Sequence, residues 1–185
     1  MDLALQVFWL KGFEATSVAD LVAAMGINSP SIYAAYGSKE ALFLEALQHY
    51  RAHYAQGMLD ALERGVDAVS GLSAMFETAI NLFTRPDWPQ GCLVVLAEAG
   101  NGPSSTVARE TLSSLRRQRS EEIAARLLRD VDEGRLRSDV PVDTLADMYA
   151  ALLQGIAVGA RDGVPRSRLS ALYKPALLPL RSDRS

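Results

Sequence analysis

Few side chains in this sequence could do covalent or metal chemistry. His49 and His53 stand four apart with Glu45 one turn earlier, a spacing that puts three metal-ligand types on one helix face. No further strong ligand lies near them in sequence, and Tyr50 and Tyr54 in the same turns read as a mixed face at a domain junction. Cys92 is the single cysteine. A thiol sensor needs a nearby cation or imidazole to lower the thiol pKa. No His or Lys lies near Cys92 in sequence, so it reads as a small buried hydrophobe. Catalysis needs a nucleophile–base pair, a metal set or a phosphate loop, and the sequence assembles none of these. No enzyme activity, metal or cofactor is expected.

The stronger chemistry is non-covalent. In the short helix expected over 30–36, Ile32 and Tyr36 form an inward face. Ser29, Ser31, Tyr33, Ala34 and Ala35 are left outside, all small or hydrogen-bonding and with no carboxylate among them. That surface suits a helix that must approach base edges closely. Gly37 ends it and Ser38 caps the next helix. Lys39 and the free N–H groups of that helix start form an anion site suited to a DNA phosphate. A three-helix packing unit with no ligand meets the same spacing.

The elements that must position these residues are helical throughout. Helices are expected over 2–11, 18–25, 30–36, 39–63, 69–84, 90–100, 104–133, 142–162 and 166–179, about nine in all, with Gly- and Pro-marked loops between them. Ser17 caps the second helix and Asp20, three residues on, completes a capping box. Val18, Leu21, Val22 and Met25 make one apolar stripe, and Gly26 supplies a left-handed end. Ile27 is expected to turn back into the core. Asn28 or Ser29 caps the third helix, with Pro30 favouring Ser29. The chain has 185 residues, 49% hydrophobic and 22% charged, with a net charge of −3, which excludes wholesale disorder and a surface that binds nucleic acid all over. No apolar run approaches the roughly 18 residues of a membrane span, so no membrane partner and a cytoplasmic location are expected.

At this point the sequence resembles a known family. Gly12-Phe13-Glu14-Ala15-Thr16-Ser17-Val18-x-Asp20-Leu21, then Met25-Gly26-Ile27, then Ser31-Ile32-Tyr33-x-x-Tyr36-Gly37-Ser38-Lys39-Glu40-Ala41-Leu42 closely resembles the DNA-binding domain of the tetracycline-repressor (TetR/AcrR) family, in one register from about Ala4 to Leu47. Gly91-Cys92-Leu93 resembles a segment of one subset of that family. The resemblance implies an all-α homodimer with a helix-turn-helix DNA-binding domain at 1–45 and a ligand-binding and dimerisation domain at 46–185. It implies a transcriptional regulator, usually a repressor, released from a palindromic double-stranded operator by a small-molecule effector. It places Thr16 and Ser17 against phosphate, Ser31, Tyr33 and Ala34 against bases or backbone, and Lys39 at a phosphate-binding lysine. Ser29 stands where many relatives carry a basic residue.

Residues 1–50 carry Lys11 and Lys39 against Asp2, Glu14, Asp20, Glu40 and Glu45. Affinity for DNA rests largely on phosphates neutralised by Lys and Arg. The chain also starts inside the family's first helix, without the basic arm that usually precedes it. Specific but weak operator binding with a shallow salt dependence is therefore expected, strengthened by a basic extension before Met1.

The second domain offers a dimer face and a cavity. Val142–Ala160 is apolar nearly all round, which implies burial on more than one side. With 166–179 it is the expected two-fold interface, through Leu153, Ile156, Leu169 and Tyr173. Met75, Phe76, Phe83, Trp88, Cys92, Leu96, Met148, Tyr149 and Gln154 are the expected lining of an effector cavity, which needs apolar walls and a few polar groups. The charged helix Ser113–Arg129, with Arg116, Arg117, Arg119, Glu121 and Glu122, reads as a solvated face laced with i,i+4 ion pairs.

Overall fold

The computed structural model describes residues 1–97 and 105–180, and among them there are helices and turns but no strand. In chain order the α-helices are α1 (Asp2–Ala15), α2 (Val18–Met25), α3 (Ser29–Tyr36), α4 (Lys39–Tyr50), α5 (Gln56–Arg64), α6 (Ala68–Phe83), α7 (Leu93–Leu96), α8 (Thr106–Asp132), α9 (Val142–Arg161) and α10 (Arg166–Ala176). The all-α expectation holds. A π-helical segment, Arg51–Ala55, joins α4 to α5 with helical backbone at both junctions. The helix expected over 39–63 is thus one rod carrying a widened turn.

Three boundaries differ from expectation, each for a local reason. Helix α1 kinks at Gly12 (φ 78, ψ 172) and then makes one more turn to Ala15. This conformation is costly for a residue with a Cβ. A Cβ there would also stand 3.3 Å from the Ala97 carbonyl oxygen just past α7. The helix expected over 90–100 begins only at Leu93, because Gly91 (φ 85) and extended Cys92 turn the chain first; residues 98–100 lie outside the described residues. A Cβ on Gly91 would meet the Ala157 carbonyl oxygen at 2.7 Å, so α7 and α9 approach through this glycine. The helix expected over 166–179 ends at Ala176, with Pro175 in its last turn and a 3₁₀ turn, Leu178–Leu180, after it.

One continuous core runs through both parts of the chain. Phe8, Phe13 and Phe43 pack edge-on and tilted between α1 and α4. Trp9 lies edge-on to Tyr50 at 4.7 Å between ring centres, and Trp88 packs on Tyr54 at 4.7 Å. Farther along, Phe76 stacks on Tyr173 at 5.0 Å. Asp2 joins the start of α1 to the rod, accepting from the Tyr54 hydroxyl at 2.8 Å and facing His49 Nε2 at 2.7 Å.

Helix α8 departs most from expectation. Arg126 and Asp130 are 2% and 0% exposed and face each other at 3.4 Å. Arg126 donates to the Leu62 and Glu63 carbonyls at the end of α5, both at 3.2 Å. Asp130 accepts from the Ala68 amide at the start of α6 and from Arg135 at 2.8 Å. Its charges therefore close the α5–α6 turn, where helix ends leave backbone groups unpaired. The solvated-face reading holds only for residues such as Arg117 and Arg129, which reach Ser113 and Glu63 in the open.

Candidate functional site

The reading head is built by capping. Ser17 Oγ accepts from the Asp20 amide at 3.1 Å and Asp20 Oδ2 accepts from the Ser17 amide at 2.9 Å, the expected capping box. Lys11 reaches Asp20 Oδ1 at 2.6 Å. The lysine bond, then the two bonds from Ser17, hold the Asp20 carboxyl well below the usual carboxylate range. Gly26 takes the left-handed position (φ 68). Ile27 is 36% exposed, so the turn carries it outward rather than into the core.

Asn28, not Ser29, caps α3. Its side chain accepts from the Ser31 amide at 2.9 Å, which makes Ser29 and Pro30 the first two helical residues. Ile32 is buried and Tyr36 half-buried, as the inward face requires. Ser31, Tyr33 and Ala34 are exposed, Tyr33 by 49%, and Ser29 is half-buried at the helix start. Their outward face is neutral and free of carboxylates.

Two expected phosphate contacts are placed elsewhere. Thr16 is 1% exposed and its hydroxyl donates to the Gly12 carbonyl at 2.7 Å, closing the α1 kink. Lys39 turns inward. Its Nζ donates to the Phe13 carbonyl at 3.0 Å and the Thr16 carbonyl at 2.9 Å, and lies 4.4 Å from the centre of the Phe13 ring. It clamps the α1–α2 turn. The Ser38 hydroxyl accepts from the Ala41 amide at 3.0 Å, as a cap should.

The second site is a cavity of about 70 Å³ between the rod, α7, α8 and α9. Three of the expected lining residues face it, namely Phe83, Cys92 and Gln154. Met75, Phe76 and Tyr149 are buried in the core beside it. Burial pushes the Tyr149 hydroxyl up to about 12. Trp88 packs on Tyr54, Leu96 is buried against Gly91, and Met148 is 38% exposed on the outside of α9.

Sequence reasoning missed most of the lining: the polar Tyr50, Arg51, Gln56, Arg116, Gln118, Arg119 and Glu122, and the apolar Met58, Leu59, Val94, Val95 and Leu115. Tyr50 is fully buried and its hydroxyl donates to Cys92 Sγ at 3.4 Å; burial first, then the thiol, push its pKa far up. Arg51 donates to Gln118 Oε1 and Gln118 donates to Glu122 Oε1, both at 3.0 Å. Arg119 Nη1 is buried with no hydrogen-bond acceptor and faces Glu122 Oε2 at 3.3 Å. Burial holds the Glu122 carboxyl above the usual range. The available signal was spacing. Leu112, Arg116, Arg119, Ile123, Arg126 and Asp130 repeat every three or four residues, so polar side chains share the buried stripe of α8.

The residues expected at the dimer interface lie inside the protomer. Ile156 and Leu169 are 0% exposed, Tyr173 3% and Leu153 7%. Helix α9 instead shows an outer stripe of Met148, Ala151, Gly155 and Val158, continued by Leu172 of α10. Apolar all round, α9 has its Leu153–Ile156 side filled by the protomer's own core.

A helix-turn-helix head, joined by a rod to a helical domain that encloses a cavity, defines the class of helical DNA-binding regulators. Residues 1–46 match the family model described as bacterial regulatory proteins, tetR family, and residues 68–163 match the tetracyclin repressor-like C-terminal domain. The chain belongs to the tetR family of bacterial regulatory proteins. It is 31% identical to the HTH-type transcriptional repressor ComR of Escherichia coli K12, over 91% of this chain and 81% of that protein. A cysteine-substituted variant of the TetR family regulator CifR, solved with 26-base-pair operator DNA, is 40% identical. That match covers 95% of this chain and 92% of that one with a TM-score of 0.91. A TetR regulator of Rhodococcus sp. RHA1 is 30% identical over 98% of this chain and all of that one, with a TM-score of 0.67. The relatives are regulators rather than enzymes. Among the described residues no helix is long and apolar enough to cross a membrane.

Proposed function

We propose that this chain is a homodimeric repressor that holds an operator through α3 and leaves it when a small molecule enters the cavity. The observation that carries this reading is the neutral, exposed outer face of α3. Ser31 and Tyr33 offer hydroxyls to base edges or backbone, Ala34 allows close approach, and the α2 and α4 starts offer their N-terminal ends. The partner copy docks on the outer stripe of α9 and α10, so that two heads meet two half-sites about 34–36 Å apart.

The cavity reaches the head by two routes. Tyr50 and Arg51 on its wall belong to the rod that begins at Lys39. Val94 and Val95 belong to α7, whose far end touches the Gly12 kink. An occupant that tilts the rod changes the head spacing, which the operator does not tolerate.

The test is a mobility shift with the DNA upstream of the chain's own gene. The chain retards this fragment, and Tyr33→Ala weakens retention about tenfold, the loss of roughly one good contact. Equal retention by the Tyr33→Ala chain would contradict the assignment of α3.

A further inference from the structure

We propose that the cavity takes a small carboxylate with a short apolar body, held by its head at Arg119. This rests on the reading of the cavity as the effector site. The lining splits by chemistry. Met58, Leu59, Phe83, Val95, Leu115 and Leu153 form the apolar wall. At the polar end stand three guanidinium groups, Arg51, Arg116 and Arg119, against one carboxylate, Glu122. Neutral groups meet two of them in part. Arg51 donates to Gln118 and Arg116 donates to the Val94 carbonyl at 3.3 Å, contacts that hold both side chains at the cavity wall.

Arg119 carries the argument. Its side chain is 19% exposed and its Nη1 is buried, yet that nitrogen has no hydrogen-bond acceptor. Glu122 Oε2 lies 3.3 Å away in an ion pair without hydrogen-bond geometry, while its Oε1 is taken by Gln118. A buried donor left unpaired is costly, and a planar guanidinium fork fits a carboxylate better than any neutral acceptor. The Glu122 carboxyl is itself held up by burial, which weakens it as a counter-ion. A cavity of about 70 Å³ has room for roughly five water-sized centres, at about 10–15 Å³ each, so the ligand is small.

The experiment is calorimetric titration of the full chain with two matched pairs, butyrate with butyramide and benzoate with benzamide. Each acid is expected to bind about tenfold or more tighter than its amide, a charge-assisted bond being roughly twice as strong as a neutral one. Arg119→Gln is expected to erase that preference, and Arg119→Lys to keep part of it. Glu122→Gln, which removes the competing carboxylate, is expected to tighten acid binding about threefold. Amides that bind as well as acids, acids that bind Arg119→Gln as well as the wild type, acid binding unimproved by Glu122→Gln, or no binding by either pair each overturn the carboxylate assignment. A mobility shift on the same samples tests the underlying reading separately. Acids that bind as expected but leave DNA retention unchanged overturn the cavity as effector site while the carboxylate site stands.

Discussion

The reading head and the cavity domain treat positive charge in opposite ways. Residues 1–50 contain Lys11 and Lys39, and both are engaged within the protein, one by Asp20 and one by two backbone carbonyls. Helix α8 instead takes guanidinium groups inside: Arg126 closes the α5–α6 turn and Arg119 faces the cavity. These cationic side chains thus serve architecture and, at Arg119, the proposed ligand contact. The surface proposed to meet an anionic polymer is left to hydroxyls and helix ends.

The largest effect expected from disturbing this arrangement is in α8. Asp130→Ala would strand Arg126, a buried cation, and leave the Ala68 amide without its acceptor. A loss of about 3–5 kcal/mol is expected in urea unfolding, because breaking a buried pair leaves a charge uncompensated. A loss below about 1 kcal/mol would mean that Arg126 finds solvent or another partner. Next comes the outer stripe. Val158→Glu places a charge where the partner copy is proposed to dock, and sedimentation should show monomers at micromolar concentration with the fold retained. Leu153→Glu should unfold the protomer instead, since Leu153 lies in its own core. A Val158→Glu chain that stays dimeric would move the interface off α9.

The smallest effect falls in the head. Lys39→Met keeps most of the stem but loses two hydrogen bonds and the contact with the Phe13 ring. A stability loss of about 1–3 kcal/mol is expected by thermal unfolding. Any loss of DNA affinity should come without a change in its salt dependence, because Lys39 donates to backbone carbonyls and not outward.

Much of the head was legible because capping and turn chemistry are local. Ser17, Asp20 and Gly26 announce their roles within a few residues, and the structure places all three as read. Asn28 was legible only as one of two options, since Ser and Asn cap equally well and Pro30 tolerates the second helical position as readily as the first. Thr16 was misplaced because its hydroxyl back-bonds to the Gly12 carbonyl four residues earlier, and Lys39 because its partners, the Phe13 and Thr16 carbonyls, lie more than twenty residues away in sequence. The cavity was least legible. Of its apolar wall only Phe83 was read from the sequence, since the wall depends on which sides of the rod and α7 face inward, and its polar end depends on which side of α8 does. Glu121 and Glu122 are adjacent in sequence, and only the second lines the cavity. The interface residues fell inside the protomer for a related reason: α9 is apolar nearly all round, and sequence alone does not say which side its own core claims.

A salt titration of operator binding tests most directly the claim that this head meets DNA without its lysines. Each phosphate neutralised by a lysine or arginine contributes about 0.9 to the slope of log K against log salt. With Lys11 and Lys39 engaged in both heads, a slope no steeper than about −2 is expected for the dimer. A slope near about −3.6 or steeper would show that both lysines of each head reach phosphate, and would contradict the claim.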